Sequence, residues 1–289
     1  MDSTSIPSLD DFLSDSSEHI RKYAPETFIY AASGTRRAAV LAGVPDEGDE
    51  LAIWSRGELF RNIELIFVHG VRHLFMPMLG PSQFRESTGN YHEYLWNWFV
   101  EGISGPKAID RYQSSGWRVR IACGDFIPQV KEMSEKLISE TTKNDAHTLW
   151  CYAVPDFSLP WEWLLEAAKR GNASTYQEAV NALYGENIPP ASIYLSTVKP
   201  LVSSLQLPPL LVRDTVQCYW SLRPGYSLDQ IQLRSILYDY AFTRQTWRED
   251  KTGRAEQALA HRDIWERGDI LGLGKRLGPF WYPDSTLAE

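Results

Sequence analysis

Short apolar runs alternate with stretches of helical apolar spacing along this chain, and no other feature constrains its fold as strongly. Five runs have the length and pattern of buried strands, namely Thr27–Ala32, Val71–Leu79, Trp117–Ile121, Thr148–Val154 and Leu207–Val212. The stretches between them repeat apolar residues at the spacing of helices that bury one face. Such alternation predicts an α/β fold: a single domain with a mostly parallel central sheet flanked by helices.

Charge and hydropathy narrow the setting in which the protein works. The formal net charge of the 289 residues is −8, so we expect no nucleic-acid partner. No apolar run reaches the roughly 18 residues needed to cross a bilayer. The first residues lack the apolar segment of a secretory signal. We therefore expect a cytoplasmic protein without a membrane span.

The amino-terminal residues differ in composition from those that follow. Residues 1–16 are acidic and rich in serine, and they show neither of the two apolar periodicities. We therefore expect residues 1–16 to form a flexible acidic tail and residues 17–289 to form the α/β domain.

The end of the first predicted strand carries a pattern suited to an anion. Ala32 runs into Ser33-Gly34-Thr35-Arg36-Arg37, where a helix is predicted to begin. Main-chain N–H groups at such a start point outward, and the helix dipole favours negative charge there. Two arginines add forked donors that match phosphate oxygens. The alternative is an ordinary solvated helix start.

Two further positions invite a functional interpretation. The apolar run Leu207–Val212 ends in Arg213, with Ser221 eight residues later, and together they suggest a second phosphate site. The alternative is an ion pair between Arg213 and Asp214. Asp239 stands in an apolar stretch, where a carboxylate is costly unless it is paired, binds a metal or faces solvent. Mg²⁺ would suit a diphosphate ligand, since it takes one or two carboxylates together with phosphate oxygens.

Taken in order over residues 20–270, these features resemble the cis-prenyltransferase family, which includes undecaprenyl diphosphate synthases. Residues 25–37 (Pro-Glu-Thr-Phe-Ile-Tyr-Ala-Ala-Ser-Gly-Thr-Arg-Arg) are similar to the family's Pro-Glu-His-Val-Ala-Ile-Ile-Met-Asp-Gly-Asn and the Arg-Trp pair after it. Residues 116–125 (Gly-Trp-Arg-Val-Arg-Ile-Ala-Cys-Gly-Asp) resemble its Arg-Val/Ile-Gly-Asp strand end. Leu210–Arg213 looks like the Leu-Ile-Arg before the homoallylic diphosphate site, and Ser221 matches the serine of that site.

The departures from the family pattern bear on the reaction. Asp239 falls where the family places a metal-binding Glu, but Ser33 replaces the family's Asp that handles Mg²⁺ and diphosphate. Gln217 and Tyr219 stand where the motif of the second site carries Glu and Arg. The site for isopentenyl diphosphate therefore looks dismantled, and the Gly-Thr-Arg-Arg variant is more similar to a terpene-synthase branch of this fold.

The resemblance thus implies a terpene synthase or cyclase that ionises one allylic prenyl diphosphate, with a C15 chain favoured, and uses Mg²⁺ if any metal binds. The implied diphosphate-binding residues are Gly34, Thr35, Arg36, Arg37, Arg213 and Ser221. The implied catalytic residues are Ser33, Tyr219 and Asp239, and Asp239 is also the implied metal ligand. Tyr219 and Trp220 would stabilise the cation through their ring faces.

Three alternatives remain open at this point. The protein could elongate prenyl chains with isopentenyl diphosphate despite a divergent second site. It could be a non-catalytic partner subunit on the same fold, because such subunits lack the metal-binding Asp. It could also be a phosphate-binding module of another kind. As partners we expect a small-molecule prenyl diphosphate and, from the resemblance, a second copy of the chain in a homodimer.

Overall fold

A six-stranded sheet forms the centre of the protein, and every neighbouring pair of its strands is parallel. The computed structural model describes residues 6–85, 91–141, 146–197, 200–213, 215–244, 252–267 and 272–283. The strands are β1 Thr27–Ala31, β2 His73–Leu79, β3 Arg118–Ala122, β4 Thr148–Ala153, β5 Ile193–Thr197 and β6 Gln217–Ser221, in the order β3-β4-β2-β1-β5-β6. The predicted single α/β domain with a parallel central sheet is confirmed.

Helices cover both faces of this sheet. The helices of the described residues are α1 Leu9–Ser14, α2 Ser17–Ile20, α3 Thr35–Leu41, α4 Gly48–Val68, α5 Pro81–Phe84, α6 Tyr91–Ser104, α7 Pro106–Ser115, α8 Pro128–Glu140, α9 Leu159–Arg170, α10 Tyr176–Tyr184, α11 Gln230–Tyr238, α12 Arg254–Ala260 and α13 Arg262–Glu266, of which α12 and α13 are exposed. A separate antiparallel hairpin is formed by β7 Gly274–Leu277 and β8 Phe280–Pro283. No helix within the described ranges is long and apolar enough to cross a membrane.

Aromatic side chains fasten the helices to each face. On one face, Tyr30 of β1 reaches α4, where its hydroxyl donates to Asn62 over 3.0 Å. On the opposite face, Phe75 of β2 stacks on Trp150 of β4, with ring centroids 5.4 Å apart, and Tyr184 of α10 packs edge-on against both. These aromatic side chains therefore serve the core.

The predicted fifth strand is wrong. Leu207–Val212 forms a turn, and the chain instead adds β5 and β6 on either side of it in sequence. Pro208 and Pro209 lack the main-chain N–H that a strand donates, and Leu210 has a φ of +65°. Leu211 still contacts the sheet, because its carbonyl accepts from the main-chain N–H of Ala191 just before β5.

The predicted flexible tail is also corrected for the part that the structure describes. Helix α1 begins after Ser8, whose hydroxyl caps the N–H of Asp11. Phe12 is only 2 % exposed and packs against the rings of Tyr238 and Phe242. Phe12 therefore packs this short helix against the domain, and the acidic composition gave no sign of that contact. Residues 1–5 lie outside the described ranges.

A buried arginine holds this amino-terminal segment in place. Arg234 of α11 is 4 % exposed. Its guanidinium donates to the carbonyls of Leu13 and Asp15 over 2.6 and 2.7 Å, and to the hydroxyl of Ser17 over 3.2 Å. Its Nε lies 3.1 Å from Nε2 of His69, whose pKa is lowered chiefly by burial. One side chain therefore bridges α1, α2, α4 and α11.

Arg234→Ala should lower the free energy of unfolding by about 3 kcal/mol or more, because buried carbonyls lose charge-assisted hydrogen bonds. Urea unfolding followed by circular dichroism measures the change. Arg262→Ala is the control, since it removes only an exposed ion pair with Glu266. We expect less than about 1 kcal/mol there. Equal losses in the two variants would contradict the bridging role.

The strand order directs attention to one edge of the sheet. The chain passes from β1 to β2 on one side, and only after β4 does it return to place β5 on the other side of β1. In open parallel sheets, ligands bind at the carboxyl ends of the strands where the order reverses. Here that point lies between the ends of β1 and β5, where residues 31–37 and Thr197 meet.

Candidate functional site

The turn after β1 has the predicted strand-to-helix geometry. Gly34 adopts a φ of +82°, and α3 begins at Thr35. The N–H groups of the first helical residues have no carbonyl one turn earlier in the helix, which leaves them suited to an anion. Ser33 and Arg36 are exposed, whereas Arg37 is half-buried.

Thr197, at the end of β5, fixes the start of this turn. Its hydroxyl accepts from the N–H of Ser33 over 2.6 Å and donates to the carbonyl of Ser33 over 2.9 Å. Thr197 was not among the residues predicted from the sequence. The signal was the run Ile193–Thr197, which is mostly apolar, contains β-branched residues, follows Pro189-Pro190 and ends in a hydroxyl residue.

Three hydroxyl side chains thus line the carboxyl edge of β1, β5 and β6. Thr197 pairs in register with Ser221, the last residue of β6. Neighbouring strands lie roughly 4.8 Å apart, so Ser33, Thr197 and Ser221 form a short polar row. The structure therefore keeps Ser221 on the same edge as the Ser33–Arg37 turn.

Thr197→Val tests the contribution of this hydroxyl. The isosteric change leaves the N–H of Ser33 without its acceptor and removes one of the two hydrogen bonds to the Ser33 carbonyl, so the free energy of unfolding should fall by about 1–3 kcal/mol, and KM for a diphosphate substrate should rise. Thr27→Val is the matched control, because Thr27 also donates one buried hydrogen bond, to the carbonyl of Pro189 at the amino end of β1. If both variants changed KM alike, Thr197 would have no special part in the site.

Arg213 does not join this row. Leu211 contacts Ala191 before β5, which places Arg213 near the amino edge of the sheet, and the whole of β6 separates it from Ser221. At roughly 3.3 Å per residue, β6 alone spans more than 13 Å. The exposed guanidinium of Arg213 instead lies 5.0 Å from the ring centroid of Tyr176. Asp214, the alternative partner, lies outside the described residues.

Tyr219 and Asp239 lie together and share a contact with Arg244, and Tyr219 stands two residues before Ser221 in β6. The hydroxyl of Tyr219 donates to Asp239 over 2.8 Å, and Nε of Arg244 lies 2.5 Å from the same carboxylate. The guanidinium carbon of Arg244 is 4.1 Å from the ring centroid of Tyr219. Both groups that were predicted to serve the reaction therefore already have partners, and burial and the bond to Asp239 raise the pKa of Tyr219.

The direction of α11 shows where this cluster lies. Arg234 contacts His69, which lies just before β2 at the amino edge. Asp239 is five residues further along the helical segment, a rise of roughly 7.5 Å away from the first turn of α11. Trp220 is 43 % exposed and alternates to the other face of β6. The order of the family's motifs predicted that these residues act together at the site, whereas α11 carries Asp239 away from the carboxyl edge.

The side chains at the turn do not form a magnesium site of their own. Residues 33–37 contain hydroxyls and guanidinium groups but no carboxylate, whereas Mg²⁺ is usually held through one or two carboxylates. Within the described residues there is no group of three or more His, Cys, Asp or Glu side chains that could hold a metal ion. Asp239, the predicted ligand, is paired with Arg244.

Comparison with known proteins identifies the family. No protein-family model matches the chain. The chain is 44 % identical over 283 residues to a (+)-kolavelool synthase of Herpetosiphon aurantiacus, and the match covers 98 % of each protein. The chain belongs to the family of this kolavelool synthase. It is also 23 % identical over 253 residues to a tuberculosinyl adenosine transferase of Mycobacterium tuberculosis, covering 78 % of this chain and 79 % of that one.

Two solved structures confirm the fold of this chain. A lavandulyl diphosphate synthase from Lavandula x intermedia, in complex with dimethylallyl diphosphate, matches with a TM-score of 0.59 at 12 % identity. A probable undecaprenyl diphosphate synthase from Campylobacter jejuni matches with a TM-score of 0.54 at 12 % identity. Each match covers 76 % of this chain and 97 % of the other. The protein is therefore an enzyme, a divergent terpene synthase with a cis-prenyltransferase-like fold.

Proposed function

We propose that this terpene synthase ionises one allylic prenyl diphosphate and holds the diphosphate at the turn Ser33–Arg37. The observation that carries the proposal is the position of this turn, at the carboxyl ends of β1 and β5 with two arginines beside the start of α3. A ligand with several phosphate oxygens can accept from the N–H groups near Gly34 and Thr35 and from the forks of Arg36 and Arg37 together.

The chemistry that such a site supports is a heterolytic cleavage. The allylic C–O bond breaks, the diphosphate leaves with the electron pair, and an allylic cation remains. Donors already aimed at the leaving oxygens stabilise the charge that develops on them. Arg36 and Arg37 supply the cationic part, and the Ser33 hydroxyl can donate one hydrogen bond. A serine cannot replace a carboxylate as a magnesium ligand, so we assign no step to a metal.

The same edge offers an apolar side for the prenyl chain. β2 ends at Leu79, beside a group of mostly apolar side chains that includes Phe84, Leu95 and Trp96. β2 neighbours β1 on the side away from β5. A substrate bound with its phosphates at Arg37 can therefore direct its chain toward β2, where aromatic rings of α5 and α6 can stabilise a cation.

The direct test uses purified protein with C10, C15 and C20 allylic diphosphates, with Mg²⁺ and with a chelator, followed by gas chromatography. We expect release of diphosphate and of one terpene hydrocarbon or alcohol, with C15 as the predicted chain length. Release of neither hydrocarbon nor alcohol from any of the three substrates would overturn the proposal.

The same purified protein also tests the competing functions. Incorporation of labelled isopentenyl diphosphate would show chain elongation. The separation of Arg213 from Ser221 argues against elongation, because the two residues cannot share a second phosphate site. Stable co-purification with an active homologue, without activity alone, would show a partner subunit. We further propose a cytoplasmic homodimer, and light scattering of the purified chain measures its mass in solution.

Asp239→Asn decides whether that carboxylate belongs to the reaction. Because it is paired with Arg244 and Tyr219 on the far flank of β6, we expect kcat to stay within about twofold of the wild type, as for substitutions away from the site. The loss of an ion pair at a partly exposed position should cost about 1 kcal/mol or less of stability. A loss of turnover in a folded variant would return Asp239 to the catalytic set.

A further inference from the structure

A short loop after β6, residues Gly225–Leu228, rests directly on the turn that carries the proposed diphosphate site. The N–H of Gly225 donates to the carbonyl of Ser33 over 2.6 Å. Gly225 has a φ of +70°, and a Cβ built there would lie 2.8 Å from Cβ of Ala38 and 3.3 Å from Cα of Thr35. The loop and the turn therefore touch along both main chains, and a shift of one displaces the other.

Asn62 of α4 holds this loop with all the hydrogen-bonding capacity of its amide. It is 0 % exposed. Its Nδ2 donates to the carbonyls of Tyr226 and Glu58 over 2.9 and 3.1 Å. Its Oδ1 accepts from the N–H of Leu228 over 3.2 Å and from the hydroxyl of Tyr30 over 3.0 Å. Two donated and two accepted hydrogen bonds use the full capacity of an amide side chain. Both Nδ2 and Oδ1 therefore bind the loop.

Two neighbours strengthen the same connection. The hydroxyl of Tyr30, in β1 just before the turn, also lies 3.3 Å from the carbonyl of Gly225. Arg61 donates to the carbonyls of Leu228 and Tyr226, each over 3.0 Å. A hydrogen-bond network of this kind, centred on a buried amide, holds the main chain in one arrangement. Here the fixed arrangement is that of the loop against Ser33.

We propose that Asn62, with Tyr30, is a positioning residue for the diphosphate site, acting through the Gly225–Leu228 loop. The inference rests on the proposed function of the turn and adds residues that touch no substrate. Donors that stabilise a leaving group act only if they are held close to the required geometry. Asn62 sets that geometry, because it anchors the loop that contacts Ser33 and Thr35 directly.

The test compares Asn62→Ala and Tyr30→Phe with a matched control, Tyr184→Phe. Tyr184 is also buried, and its hydroxyl also donates to a loop carbonyl, that of Pro209 over 2.7 Å, but it lies on the opposite face of the sheet. Both Tyr→Phe variants remove one such bond and should lose similar stability. The probe is inorganic diphosphate, with its Kd measured by titration calorimetry beside kcat and KM for the allylic substrate that the wild-type enzyme turns over.

We expect Tyr30→Phe to weaken inorganic diphosphate binding about tenfold, and Asn62→Ala to lower kcat/KM by up to about 100-fold, as misplaced groups do. Tyr184→Phe should leave both values unchanged. If Asn62→Ala fails to fold, Tyr30→Phe decides alone. Binding by folded Tyr30→Phe that equals the control overturns the positioning role. If wild-type protein binds no diphosphate, or if Arg37→Ala binds it equally well, the proposed function of the turn fails instead.

Discussion

Replacing Arg37 with alanine should lower kcat/KM for the allylic diphosphate by about 100- to 1,000-fold, the range seen when a preorganised donor to a developing anion is removed. Arg37 lies in the first turn of α3 and is half-buried. A cation that is partly withdrawn from water acts on a bound anion more strongly than an exposed one. The effect should therefore exceed that of the exposed neighbour, Arg36.

The measurement needs a second variant and a surface control. Arg37→Lys keeps the charge but loses the fork that matches two oxygens, so it should recover only part of the activity. Arg111→Ala removes an arginine that pairs with Glu64 between α7 and α4, and it should retain wild-type turnover. Thermal unfolding confirms that all three variants fold. Full activity of folded Arg37→Ala would rule out the turn as the diphosphate site.

The parts of the fold that sequence predicted are those whose signals are local. β1 to β4 each stand within a residue or two of the predicted runs, because burial on both faces demands an apolar stretch at those places. The turn at Gly34 was likewise predicted from neighbouring residues alone. A strand followed by a glycine and two arginines is enough to predict a strand-to-helix turn.

The wrong prediction of the fifth strand shows where hydropathy misleads. Leu207–Val212 is the more apolar run, yet two prolines disable it as a strand, while Ile193–Thr197 and Gln217–Ser221 pair with the sheet. This error also affected the predicted site. Placing a strand end at Arg213 brought it beside Ser221 in the prediction, whereas β6 holds them apart. Thr197, at the true strand end, was missed.

Contacts between distant parts of the chain explain the remaining gap. Asp239 stands in an apolar stretch because Tyr219 and Arg244 satisfy its carboxylate, and nothing in the local sequence shows those partners. Asn62 and Tyr226 are 164 residues apart. A lone asparagine in an amphipathic helix gives no sign of that contact, so this support for the turn becomes visible only in three dimensions.

The close contact between loop and turn leads to the second large expected effect. Gly225→Ala should lower kcat/KM by about 100-fold, because the added methyl group cannot lie 2.8 Å from Cβ of Ala38 and must push the loop or the turn aside. The positive φ adds about 1–2 kcal/mol of strain. Overpacking adds about 1–3 kcal/mol to the stability loss.

Gly185→Ala separates the steric effect from the strain. Gly185 ends α10 with a φ of +76°, close to the +70° of Gly225, but a Cβ there has no atom within 4 Å. Both variants should show the strain in chemical unfolding, and only Gly225→Ala should show the loss of kcat/KM and of inorganic diphosphate binding. If Gly225→Ala retained wild-type affinity, the loop would be able to move without the turn. The diphosphate site would then depend on Thr197 and α3 alone, and the link from Asn62 would serve only stability.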